Sequence, residues 1–221
     1  MKATGGRSVP KAGGVAARAA LPGSADVRQS LLLPTVFERL EGQPPFTILD
    51  VNAGVSETIR FFADYPTRLH FAAFYDAVEL ANAPEEEPDA YYDAIFAELC
   101  SFPPGTQFDI CLLWDFLNCL PEIAITAFSR AIRPYLHRDT IGHGFGAFKA
   151  SVSVSANPGG LPALSYGVRT RSELVLRPRE GGLQPRYLHP RTVLAESLTS
   201  FGISRGTLLK DGIMELLLEA R

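Results

Sequence analysis

The sequence predicts an α/β fold: a mainly parallel sheet with helices on both faces and one antiparallel strand near its C-terminal end. Three observations carry this. Short apolar runs of strand length, above all Phe46–Val51 and Phe108–Trp114, alternate with stretches of helical periodicity. Each of those runs is nearly continuous in its apolar character, the pattern of a strand buried on both faces of a parallel sheet. Close to the end, Asp211-Gly212 separates two apolar runs, a hairpin signal that forces one antiparallel strand.

Residues 1–26 are rich in Gly and Ala, carry Pro10 and Pro22, and show no sustained apolar period, so they read as a flexible tail. From Asp26 to Leu40 the residues Val27, Leu31, Leu32, Val36, Phe37 and Leu40 share a helical face, kinked or restarted at Pro34. Phe46–Val51 is the first strand and runs into the loop Asn52-Ala53-Gly54. Ser56–Asp64 has helical spacing, Leu69–Phe74 reads as a second strand, and Tyr91–Leu99 is helical again. The acidic run between Pro84 and Pro88 is a solvated loop, and Pro103-Pro104-Gly105 is a turn.

Phe108–Trp114 is followed by a helix that Pro121 opens and that runs to about Tyr135. Thr140–Phe148 is a Gly-rich strand. Residues 151–190, interrupted by prolines and glycines, read as an irregular insertion, with Leu174–Leu176 able to extend the sheet. Arg191–Ser200 is a helix, and Ile203–Leu209 and Ile213–Glu219 are the two strands of the terminal hairpin. With 221 residues, 46% of them apolar and 20% charged, the chain fits one sizeable domain over 27–221, and neither disorder nor a coiled-coil rod.

Charge is uneven. Residues 29–148 hold seventeen acidic and six basic residues, which argues against a nucleic-acid-binding face there. The arginines of the C-terminal third (Arg169, Arg171, Arg177, Arg179, Arg186, Arg191) are either an anion contact or solvated surface. Cys100, Cys111 and Cys119 are odd in number and lack metal-ligand spacing, and no histidine has a partner at such spacing. The expectation is reduced cysteines, no metal site and a cytoplasmic protein without a membrane span.

Three segments, ILDVNAG (Ile48–Gly54), FDICLLWDFLNCLP (Phe108–Pro121) and FGIS…LLKDGIMELLLEA (Phe201–Ala220), stand in the order and spacing of a known family. The chain resembles the class I S-adenosylmethionine-dependent methyltransferases. The resemblance implies a three-layer Rossmann-like methyltransferase fold with a seven-strand, mostly parallel sheet and an antiparallel C-terminal strand beside the fifth. It implies S-adenosylmethionine as cofactor, held over the first-strand loop by Asp50, Asn52, Gly54 and Ser56. In the family pattern Asp-x-Gly-x-Gly-x-Gly the first and last glycines are here Asn52 and Ser56, a degenerate form that leaves a side chain where the methionine part of the cofactor lies.

The expected ribose carboxylate at the end of the second strand is Asp76, if the strand end slides by two or three residues; otherwise that position is apolar. Trp114, Asp115 and Phe116 stand where the adenine or methyl end of the cofactor is expected, although a tryptophan in a buried strand is as often core. His143 is the candidate general base, with a half-buried, backbone-bonded histidine as the alternative. Two functions follow: a methyltransferase acting on an unidentified small-molecule or protein acceptor, or a degenerate pseudoenzyme of the same fold serving as a binding or scaffold subunit. In either case residues 151–190 are the expected substrate-facing or partner-facing segment.

Overall fold

The structure is a computed structural model that describes residues 25–41, 45–147, 161–184, 187–210 and 212–221. Nine strands form two sheets among the described residues. The central sheet contains β2 (Phe46–Asp50), β3 (Thr67–Phe71), β4 (Phe108–Trp114), β5 (Leu136–Gly146), β8 (Phe201–Leu208) and β9 (Met214–Ala220). Their order is β3-β2-β4-β5-β9-β8. The first four are parallel; β9 runs antiparallel between β5 and β8, with His143 opposite Leu217. The hairpin and its insertion beside the fifth strand are thus as the sequence predicted.

The central sheet has six strands, not seven. Between β3 and β4 the chain passes through helix α3 (Pro88–Leu99) without a further strand. Pro84, Pro88, Pro103 and Pro104 lie in that interval with the run Glu85-Glu86-Glu87. Prolines cannot donate to a ladder, and an acidic run cannot be buried on two sheet faces.

Helices α1 (Leu33–Phe37), α2 (Ser56–Phe62), α4 (Glu122–Ile132) and α5 (Arg191–Ser197) complete the main elements. α4 shows how a sequence period becomes packing: Ala124, Ile125, Phe128 and Ile132 are all buried, and Phe128 meets Phe74, Phe96 and Phe116 ring to ring. The core is continuous from α1 through β2, β4 and β5 to β9.

Two segments differ from the sequence reading. Asp26–Gln29 is a strand, β1, rather than the start of a helix; the helical stretch begins only at Leu33, with Pro34 in its first turn, where a missing N–H costs nothing. The insertion is not irregular: β6 (Leu161–Val168) and β7 (Glu173–Gln184) pair antiparallel, and β1 joins β7 to complete a second sheet, β1-β7-β6. Leu174–Leu176 belongs to this sheet and not to the central one. The proposed tail, except for Ala25 and Asp26, lies outside the described residues, as do 148–160 and Asp211 of the hairpin turn.

Candidate functional site

In an open α/β sheet the natural ligand crevice lies beyond the carboxyl ends of the strands, where the strand order reverses. Here β2 continues outward to β3 and β4 outward to β5, so the reversal falls between β2 and β4. The loops at that point begin at Asp50 and Trp114, two of the residues expected to line a cofactor site.

Asp50 is fully buried. Its Oδ1 accepts hydrogen bonds from the Asn52 N–H (2.9 Å) and from Trp114 Nε1 (2.7 Å), while Oδ2 has no hydrogen-bond partner. Burial pushes its pKa from 3.8 to about 7, against the opposing pull of the bonds from Trp114 and Asn52. Asn52, also buried, donates from Nδ2 to the Tyr166 carbonyl (3.0 Å), and its Oδ1 is without a partner. Two acceptor oxygens on one loop are therefore enclosed and unsatisfied, an uncommon condition for buried polar atoms.

Trp114 closes β4 in the left-handed region, φ 47°. A non-glycine residue there costs of order 1–3 kcal/mol, and such strain collects at sites where the surroundings dictate the backbone. Ala73, just past β3, has φ 49°. The two residues flank the same crevice.

The second sheet covers this place. Tyr166 of β6 lies parallel to the Trp114 indole, centroids 5.4 Å apart and planes 3° from parallel, and also stacks against Phe145, centroids 5.7 Å apart. Arg28 of β1 sits over Phe145 in turn. Val168 donates its N–H to Thr58 Oγ1 (3.1 Å), and Gly167 passes so close to α2 that a Cβ there would meet Glu57 Cβ at 3.0 Å. Arg177 of β7 pairs with Glu57, and this ion pair pulls the Glu57 carboxyl down to about 2. The β6–β7 hairpin is thus fastened to the first-strand loop and to α2 through stacking, hydrogen bonds and charge.

The remaining predicted residues divide. Asp115 is buried and accepts from the Tyr75 hydroxyl (2.7 Å); burial and Asp115 hold that phenol well above its ordinary pKa. Phe116 packs against Phe74 and Tyr75. Gly54 and Ser56 are exposed on the rim. Asp76 is exposed as well, 3.8 Å from Arg179, whose guanidinium lies 4.0 Å above the Tyr75 ring.

His143 is fully buried, and its Nε2 is 2.7 Å from Glu215 Oε1 rather than bonded to backbone. The same carboxylate accepts from the Ser30 hydroxyl and from the N–H groups of Leu31 (2.8 Å) and Leu32 (3.2 Å). It ties the entry of α1 to the central sheet. The Trp114 and Phe145 rings pack edge-on against the His143 imidazole, with centroids at 5.7 and 5.1 Å. Among the described residues no group of three His, Cys, Asp or Glu side chains is placed to hold a metal, and no helix is long and apolar enough to cross a membrane.

Sequence reasoning missed Tyr166, Glu215 and Tyr75. Tyr166 had a readable signal: Ala163, Leu164, Ser165 and Tyr166 run into the glycine that lets the strand approach α2. Glu215, a carboxylate in an apolar strand, gave no hint of its partner from a distant segment.

No protein-family model matches the chain, and no curated protein matches it. Solved structures resemble it in shape. The glycopeptide N-methyltransferase MtfA complexed with S-adenosyl-L-methionine is 12% identical, with 85% of this chain and 92% of that one covered, at a TM-score of 0.44. An S-adenosylmethionine-dependent methyltransferase from Clostridium acetobutylicum is 9% identical over 80% and 84% of the two chains, TM-score 0.44. The PH0226 protein from Pyrococcus horikoshii is 9% identical over 86% and 88%, TM-score 0.46.

Proposed function

We propose that the chain is an S-adenosylmethionine-dependent methyltransferase whose cofactor site is the crevice between the ends of β2 and β4. The observation that supports this is the pair of enclosed acceptors, Asp50 Oδ2 and Asn52 Oδ1, on the loop at the strand-order reversal. Their chemistry suits the cationic amino end of such a cofactor, which brings N–H donors and positive charge. When bound, the cofactor supplies an electrophilic sulfonium methyl. The work of this chain is to hold and orient: Asp50 fixes the Asn52 backbone and the Trp114 ring, Trp114 and Phe116 exclude water, and Asp115 with Tyr75 forms the polar wall. The acceptor is a small molecule or a protein.

One observation favours a second reading, a scaffold or binding subunit without activity. The space above Trp114 is filled by Tyr166. Calorimetric titration with S-adenosylmethionine and S-adenosylhomocysteine, on wild type and on Tyr166→Ala, separates the two. The methyltransferase reading expects heat from at least one of the two proteins. It also expects that heat to vanish in Gly54→Val, whose branched side chain must displace Phe71, only 3.2 Å from the position of a Cβ. No heat from either protein at millimolar ligand sinks the methyltransferase reading and leaves the scaffold.

A further inference from the structure

The arginines that stood out in the C-terminal third of the sequence are not absorbed by the crevice. Three of them, Arg169, Arg171 and Arg177, come together with Arg60 of α2 around a cleft of about 710 Å³ between α2 and the second sheet. Phe61 and Tyr65 form an aromatic wall, their centroids 5.4 Å apart. The volume falls in the range of small-molecule sites, about 300–1,000 Å³.

The charges in this cleft are unequal. Two acidic residues, Glu57 and Asp64, face four arginines, in a chain whose net charge is −3. Arg177 is braced by Glu57. Arg171 is braced by Glu41 (2.6 Å) and lies 6.0 Å over the Tyr65 ring. These contacts fix two guanidinium groups without using all five of their N–H donors. Arg60 and Arg169 are exposed and make no salt bridge with a carboxylate among the described residues. The chain enters the cleft at Ala25, and residues 1–24 hold Lys2, Arg7, Lys11 and Arg18 with no acidic residue.

We propose that this cleft binds a small anionic molecule that carries a phosphate-like group on a flat apolar body. Guanidinium forks match phosphate oxygens bidentately, and the Phe61–Tyr65 wall supplies the apolar contact. None of Asp50, Asn52, Trp114 and Tyr166 lines the cleft, so the proposal does not depend on what the crevice binds.

Phenyl phosphate, inorganic phosphate and benzyl alcohol are the probes, titrated calorimetrically at low salt into wild type and into Arg60→Ala, Arg169→Ala and the double variant. Because neither arginine holds a salt bridge, the variants should fold, which circular dichroism and melting temperature check. The expected result is binding of phenyl phosphate to wild type, weakened at least tenfold in the double variant, weaker binding of inorganic phosphate, and none of benzyl alcohol. Equal affinity of wild type and double variant for phenyl phosphate, or no heat at millimolar concentration, overturns the proposal. Equal binding of phenyl phosphate and inorganic phosphate overturns its apolar half. Titration of the double variant with S-adenosylmethionine is expected to match wild type.

Discussion

Replacing Asp50 by asparagine should make the protein more stable at neutral pH and leave it little changed in acid. The carboxyl is enclosed, with two donors on Oδ1 and none on Oδ2, and burial holds its pKa at about 7 against 3.8 in an open chain. The folded state therefore binds this proton more tightly than the unfolded state does. Its contribution to stability is fully present below pH 3.8 and is lost as the pH rises through about 7, beyond which nothing more changes. The gap between the two pKa values corresponds to about 4 kcal/mol at most. Asparagine imitates the protonated acid in shape, and its oxygen still accepts from Trp114 and Asn52. Urea unfolding of both proteins at pH 4, 6 and 8 gives the difference in stability, from which other titrating groups largely cancel. That difference should be near zero at pH 4 and grow with pH by up to about 4 kcal/mol. A flat difference, or one that grows toward acid, would show that Asp50 is not buried as an unpaired carboxyl and would undo the reasoning about its free oxygen.

Glu215→Leu leaves His143, Ser30 and two backbone N–H groups facing an apolar side chain, a loss of about 3–5 kcal/mol by denaturant unfolding. Burial pushes the Glu215 carboxyl up, but His143, Ser30 and Leu31 outweigh it and hold the pKa below 4.5. The support from Glu215 is thus present above pH 4.5 and lost as the pH falls through the lowered value, so the cost of this substitution should shrink in acid. Tyr166→Ala should cost about 3–5 kcal/mol and shift the emission of Trp114, the sole tryptophan, to the red as its stacked face opens. Glu57→Gln removes a half-exposed ion pair with Arg177 and should lower stability by less than about 1 kcal/mol.

The central sheet was legible because its strands announce themselves locally. Phe108–Trp114 has no polar residue but Asp109, so only a strand buried on both faces accommodates it, and the Asp211-Gly212 turn reveals the reversal that places β9. The second sheet was not legible for the opposite reason. Its strands carry Pro162, Pro178 and several glycines, which reads as loop, and what makes them strands is pairing with β1 far away in sequence, Val27 opposite Val175 and Arg28 opposite Leu174. Asp26–Gln29 misled in turn, since four residues fit a helical face as well as an edge strand until a partner is known. At the candidate site, Asp50, Asn52 and Trp114 could be put in one region from the order of the strands, and the structure joins them by hydrogen bonds. Their closure by Tyr166 was invisible, because no local pattern encodes a contact across two sheets.

Three irregularities of separate origin coincide at one point of the molecule. The strand order reverses between β2 and β4, the backbone turns left-handed at Trp114 and Ala73, and two buried oxygens on the Asp50–Asn52 loop lack donors. Each is unfavourable or neutral for stability, and a sequence shaped for folding alone would remove the last two, with glycine or asparagine at the left-handed positions and an apolar residue at 50. Tyr166 supplies stacking to this place but no hydrogen bond to either free oxygen, so the hairpin fills the volume without satisfying its polarity. A ligand that brings donors to those oxygens gains what Tyr166 does not offer, at the expense of a stack that itself contributes about 0.5–1.5 kcal/mol beyond burial. Because Trp114 is the partner in that stack, its fluorescence reports directly on the exchange. Added S-adenosylmethionine should alter the emission of wild type if the tyrosine yields. If the crevice is permanently packed, the emission stays constant and only Tyr166→Ala responds.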